Sequence, residues 1–206
     1  MPTNLTIRDR TLKTDLTNLR KLNIGCGNDV LEGYINLDVA KLPGVDVIHN
    51  LREFPWPFDG NMFEEIKMIH ALEHLPNTIR TIEEVWRITK HEAKVTIRVP
   101  YWNCWHSIGD LTHVKRFHQK SFDFFDPEKE RCQKRPYYSH ARFKVDKTYY
   151  WIPILPMGSE GKGWVRIRNN IGKGILSLLA TYLNNIIWCV EFEHITIKEN
   201  VANIDH

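Results

Sequence analysis

Short apolar runs recur through the first half of the chain: KLNIG, YINLDV, VDVIHN, EEIKMIHA and AKVTIRVP, all between residues 21 and 100. Each is of strand length, rich in Ile and Val, and closed near Gly, Asn, His or Pro, the texture of buried strands in a parallel sheet. Between the last two runs, PNTIRTIEEVWRITKHE places Ile79, Ile82, Val85, Trp86 and Ile88 near helical spacing with charges between them. This predicts a helix capped by Asn77 or Thr78. Strand–helix–strand order with apolar strands predicts an α/β fold built on a mostly parallel sheet.

Past Pro100 the pattern loses its period. Residues 101–143 are crowded with aromatic, His and basic side chains and read as a long excursion over one sheet edge, where functional loops tend to sit. Tyr101, Trp102, Trp105, Phe117, Phe122, Phe124 and Phe125 are read as a second small core rather than as sugar-stacking rings. FKVDKTYYWIP and EHITIKE are strand-like, and IGKGILSLLATYLNNIIWCV reads as a helix between them. Residues 1–20 are polar and form an N-terminal extension; residues 21–206 make one domain, split into a cofactor-binding half (21–100) and a half (101–206) carrying a substrate lid, a helix and the last strands.

The stretch KLNIGCGNDVLEGYINLDV carries the first chemistry. Gly25-Cys26-Gly27 at the end of a strand lets the main chain pass close to a ligand, and Asp38 closes the second strand where a carboxylate can accept hydrogen bonds from both ribose hydroxyls. Together they describe a nucleoside site. A dinucleotide needs a longer glycine pattern opening a full helix whose N-terminus holds the pyrophosphate. Here only a stub of helix fits before the strand near Tyr34, and Asp29 repels phosphate. S-adenosylmethionine (SAM) carries adenine and ribose without phosphate and needs no such helix.

These residues resemble the class I SAM-dependent methyltransferases, in particular the small type-11-like proteins linked with polysaccharide gene clusters. The matching stretches are LNIGCGN, INLDV, HNLREFPWPFDGNMFEEI, IHALEHL, IEEVWRITKHEAKVTIRVP and GDLTHVKRFHQKSFDFF, in order over roughly residues 21–125. The resemblance implies a Rossmann-like sandwich with shortened first helices, a mostly parallel sheet and an antiparallel C-terminal strand. It implies that Asn23 lies near the methionine amino group and that Gly25, Cys26 and Gly27 line the methionine and ribose. Asp38 would bind the ribose hydroxyls, Val39 the adenine, and Asn50, before Leu51, the adenine amino group. His70 and Ala71 would face the sulfonium. Asn23 and Asn50 stand where the family usually carries acids, and Asp29 where it has a third glycine. The first two departures remove negative charge around a cationic ligand and support a second reading, a catalytically weak or inactive scaffold of the same fold.

Methyl transfer from a sulfonium needs alignment above all, and an oxygen or nitrogen nucleophile gains from a nearby base. His113, held by Asp110, is the candidate base, with His106 and His118 behind it. His70 and His74 do not have zincin spacing on one helix, and His106, His113 and His118 have no familiar ligand spacing, so no metal is expected. Glu73 and His74 are read as organising the turn after the fourth strand. Lys162, Arg166, Arg168 and Lys173 beside Trp164 are a solvated face or, with the following amphipathic helix, a contact for an anionic membrane surface.

Composition narrows the rest. In 206 residues, 42% are hydrophobic and 26% charged, which suits a folded core. A net charge of +3 is too small to suggest nucleic acid. Cys26, Cys104, Cys132 and Cys189 are scattered without framework spacing, which suits reduced thiols and a cytoplasmic protein. The opening residues contain no apolar core of a secretory leader. The expected partner is a small-molecule or glycan-type acceptor, methylated on O or N, and the chain is expected as a monomer or homodimer.

Overall fold

The computed structural model describes residues 18–153 and 164–198. Most of the N-terminal extension, Lys162 and the end of the expected lid lie outside the described residues. Among the described residues eight strands make one sheet: β1 (Lys21–Ile24), β2 (Ile35–Asp38), β3 (Val47–Ile48), β4 (Phe63–Ile69), β5 (Thr89–Pro100), β6 (Arg142–Pro153), β7 (Trp164–Ile167) and β8 (Cys189–Ile197). Their spatial order is β3-β2-β1-β4-β5-β8-β6-β7. The pairings from β3 across to β5 are parallel, and β8, β6 and β7 join antiparallel. The mostly parallel α/β sheet with an antiparallel C-terminal part is as expected. That part is three strands wide, because β7, hidden in sequence within a basic run, pairs with the end of β6.

Helix α1 (Thr78–Ile88) starts where predicted. The Asn77 side chain accepts a hydrogen bond from the Arg80 backbone N–H at 3.1 Å, satisfying one of the free donors of the first turn. Ile82, Val85 and Ile88 face the sheet, and Ile79 faces solvent. Two short helices follow, α2 (Trp105–Gly109) and α3 (Glu130–Lys134), then α4 (Asn170–Tyr182), capped by Asn169. The helix expected to run on to Val190 ends at Tyr182. Asn184 and Asn185 follow it, and Cys189 and Val190 already belong to β8.

The expectation that the parallel strands are buried on both faces is corrected. No α-helix is present among the described residues between β1 and β4. Register therefore separates two unlike faces. Leu22, Ile24, Ile66, Met68, Val95, Ile97, Val190 and Phe192 share one face and join a single core with α1, Leu176 and Ala180. Lys21, Glu65, Lys67, Thr96, Arg98, Glu191 and Glu193 alternate onto the other. The strand sequences alternate because the crossovers are too short to supply a second helical layer. The aromatic excursion also divides: Tyr101, Phe117, Phe122 and Phe125 are in the core, and Trp102 and Trp105 are exposed.

Candidate functional site

The chain turns back sharply after β1. Gly25 and Gly27 have φ of +64° and +50°, conformations that favour glycine, and a Cβ on Gly25 would lie 2.5 Å from that of Ala71. The backbone N–H groups of Gly25 and Cys26 both donate to the Leu37 carbonyl, at 2.8 and 3.1 Å. Asp38 holds the same loop: one carboxylate oxygen accepts from Gly27 N–H at 2.8 Å, and the other accepts from Ala40 N–H at 2.9 Å. The two parts of the motif are thus bonded to each other, and Asp38 retains lone pairs for a ligand.

A cleft of about 520 Å³ opens beside this loop, lined by Gly25, Asp38, Val39, Asn50, Leu51 and Ala71 among others. Val39 is 65% exposed and offers an apolar surface there. Leu51 and Ala71 are buried. The Asn50 carbonyl oxygen accepts from Arg52 N–H at 3.1 Å, and its amide donates to Glu53 at 3.0 Å. A trough of about 840 Å³ lies on the other side of the loop, lined by Asn23, Cys26, Gly27, Thr96 and Arg98 among others. Asn23 is buried and donates to the Asp29 carbonyl at 2.8 Å and the Asn36 side chain at 3.0 Å, which leaves its own carbonyl oxygen for a ligand. Burial, with Asp38 close by, pushes the Cys26 thiol up to about 11, so it stays neutral.

A larger cleft, about 1210 Å³, lies beyond His70. Its walls are aromatic, from Trp105, His106, Trp151 and Trp164, and Asp110, His113, Glu73 and His74 line it too. His70 lines all three clefts. It follows β4 with a φ of +53°, its Nδ1 lies 3.2 Å from Glu73 Oε1, and its Nε2 lies 3.8 Å from the Cys189 sulfur. The aromatic residues thus divide between core and cleft.

The structure brings Asp110 and His113 together, with 3.7 Å between Asp110 Oδ2 and His113 Nε2. Two hydrogen bonds from Thr112, N–H at 2.8 Å and O–H at 2.6 Å, hold the Asp110 carboxyl below the usual carboxylate range. His106 reaches the cleft, whereas His118 stacks on Tyr101, with ring centroids 5.9 Å apart. Burial lowers the His118 imidazole below its ordinary value. One grouping has no signal in the sequence pattern. Glu73 and His74, in a single 3-10 turn, meet His113 from the loop after α2, with ligand-type atoms all within 4.8 Å of one another. The main chain joins them as well, because Val114 N–H donates to the Glu73 carbonyl at 2.9 Å.

No family model matches the chain, and no curated protein matches it. In fold it is similar to a SAM-dependent methyltransferase from Archaeoglobus fulgidus, with a TM-score of 0.55, 13% identity and 88% of each chain covered. It is similar too to the YcgJ protein from Bacillus subtilis, with a TM-score of 0.53, 14% identity, and 89% and 94% of the two chains covered. A third similar structure is Haemonchus contortus phosphoethanolamine N-methyltransferase 2, bound to phosphomonomethylethanolamine and S-adenosylhomocysteine, at a TM-score of 0.51 and 13% identity; 88% of this chain and 49% of that one are covered. The fold is the Rossmann-like one of the class I methyltransferases. At these identities the likeness establishes fold alone.

Proposed function

We propose that the chain is a SAM-dependent methyltransferase acting on an oxygen or nitrogen of a small-molecule or glycan-type acceptor. The observation that carries this reading is the meeting of three clefts at His70: a nucleoside-sized one beside Asp38, a trough past Asn23, and a large aromatic one beyond. Gly25 packs so closely on Ala71 that no side chain fits between them, the space beside Gly27 is open, and the donor set fits an uncharged nucleoside. In this assignment Asp38 takes the ribose hydroxyls, Val39 and Leu51 flank the adenine, Asn50 meets its amino group, and the Asn23 carbonyl accepts from the methionine ammonium. Gly25, Cys26 and Gly27 pass beside the methionine, and His70 and Ala71 face the sulfur.

When bound, SAM would supply a methyl group already activated on sulfur, for transfer to the acceptor's lone pair with loss of the acceptor's proton. The protein's task is alignment and removal of that proton. His113 is suited to the second role, because its Nε2 faces Asp110 and its buried Nδ1 has no hydrogen-bond partner. Trp105, Trp151 and Trp164 give the acceptor flat apolar walls.

A peripheral membrane contact belongs to the same reading. Ile171, Ile175, Leu178 and Tyr182 form an exposed stripe along α4, close in sequence to the exposed Arg168. No helix among the described residues is long and apolar enough to cross a membrane. A cytoplasmic location and a monomeric or dimeric state complete the proposal.

The deciding experiment is calorimetric titration with SAM, S-adenosylhomocysteine and NAD on wild type and Asp38→Asn, which keeps the shape of the group that holds Gly27. Micromolar SAM binding, weakened at least ~10-fold in the variant, supports the assignment and leads to a screen of acceptors by S-adenosylhomocysteine release. Absence of binding by all three compounds sinks it in favour of the scaffold reading.

A further inference from the structure

The turn after β4 and the loop after α2 leave a set of polar atoms that nothing in the protein satisfies. Glu73 is 1% exposed, yet its Oε2 has no hydrogen-bond partner. The His113 side chain is 9% exposed, and its Nδ1 is likewise without one. A buried carboxylate oxygen left without a donor is destabilising and calls for a partner. Both atoms belong to residues lining the large cleft.

The surrounding hydrogen bonds fix the tautomer of His74. Thr112 O–H donates to Asp110 at 2.6 Å, so the Thr112 oxygen accepts from His74 Nδ1–H at 2.9 Å. That fixes the His74 tautomer and leaves Nε2 with its lone pair. His113 Nε2 lies 3.7 Å from Asp110 Oδ2, and its buried Nδ1 has no hydrogen-bond partner. Two imidazoles, one backed through its other nitrogen by a hydroxyl and the other with a carboxylate nearby, together with one carboxylate oxygen, make a metal-ligand set with part of its outer shell in place. Sequence spacing concealed it, because the ligands come from two separate loops.

We propose that Glu73, His74 and His113 bind a divalent first-row transition cation at the floor of the large cleft. Imidazole donors favour a zinc-like ion over magnesium or calcium. Ligand atoms at the outer limit of 4.8 Å would surround a central ion at about 2.8 Å (4.8 Å divided by √3). Each side chain then needs to move by less than about 1 Å to reach ordinary bonds of ~2.0–2.2 Å. Three protein ligands leave a position open toward the cleft. Resting on the methyltransferase reading, the open position takes an acceptor hydroxyl and eases loss of its proton to water. His113 then serves as a ligand rather than as the base. An acceptor nitrogen held this way would have its lone pair occupied, so the site narrows the acceptor to an oxygen nucleophile.

The test uses the full chain, dialysed with chelator and titrated with zinc chloride, with cobalt chloride as a visible-absorption probe; Glu73→Gln, His113→Ala and Thr112→Val are titrated alongside. One zinc per chain is expected, at least ~100-fold weaker in the two ligand variants and ~10-fold weaker in Thr112→Val, which removes a supporting hydroxyl but no ligand. Cobalt bound to wild type should give the absorption of a low-symmetry site. A wild type that retains no ion overturns the proposal, as does zinc binding unchanged in all three variants. Separate SAM titrations distinguish the two ideas: SAM without zinc ends the metal site and leaves the methyltransferase reading, and zinc without SAM does the reverse. Thr112→Val keeps the test decisive if a ligand variant fails to fold.

Discussion

Phe192 and Glu191 are neighbours on β8, both buried, and they live in opposite kinds of environment. Phe192 lies on the face that α1 and α4 cover, 4.6 Å from the Phe122 ring centroid. Glu191 lies on the face that no crossover helix covers. There it pairs with Arg98 and with Arg166, each at 2.5 Å, and accepts from the Trp151 indole at 3.2 Å. Arg98 stacks on Trp151 at 4.1 Å and Arg166 on Tyr149 at 3.5 Å. One face excludes water by apolar volume, the other by charged groups laid flat on rings. The difference shows how this sheet closes where helices cover one face alone: it alternates, and its second side is sealed by paired charges and rings rather than by a helical layer.

The largest effect should come from the covered face. Phe192→Ala removes a fully buried ring from a continuous core and is expected to cost about 3–5 kcal/mol of unfolding free energy, measured by urea denaturation. A loss under about 1 kcal/mol would mean that this face is not close-packed and that the contrast between faces is overstated.

The same face contains one residue that belongs to neither description. His194 is fully buried among Phe122, Phe143 and Phe192, and burial lowers its imidazole to about 4. In the unfolded chain it would titrate near ~6.5, so between those values the unfolded state binds the extra proton. Stability is therefore complete above about pH 6.5 and falls as the pH drops toward 4, by about 3 kcal/mol from this group. His194→Leu should flatten that part of the profile while changing little at pH 8. Equal acid slopes in the two proteins would show that His194 is not held neutral by its surroundings.

Much of this contrast is legible in the amino-acid sequence. KLNI, FEEIKMI and KVTIRV alternate apolar and polar residues strictly enough to announce a one-faced sheet; their Ile and Val content masks that period by suggesting strands buried on both sides. The Asn77 cap and α1 are legible because helix signals are local. The strand β7 is not, because WVRI carries a charge that only its partners on β8 explain. At the site, Gly25, Gly27 and Asp38 are legible together, since one turn and one adjacent strand position them. Glu73, His74 and His113 are not. Their meeting depends on the main-chain bond from Val114 to Glu73, which joins segments that no local pattern relates.

The smallest of these effects concerns the uncovered face. Glu191→Ala removes the shared partner of two arginines, whose side chains are each 25% exposed and so can turn part-way to water. The expected cost is about 2 kcal/mol, below that of Phe192→Ala, because the freed charges are rehydrated and no large cavity forms. Repulsion between Arg98 and Arg166 adds to that cost and is screened by salt. The difference from wild type should therefore shrink as sodium chloride is raised toward ~1 M, whereas the Phe192→Ala difference should hold. If both variants respond to salt alike, the charged layer is only a solvated surface, and this sheet face must be closed by something other than its own side chains.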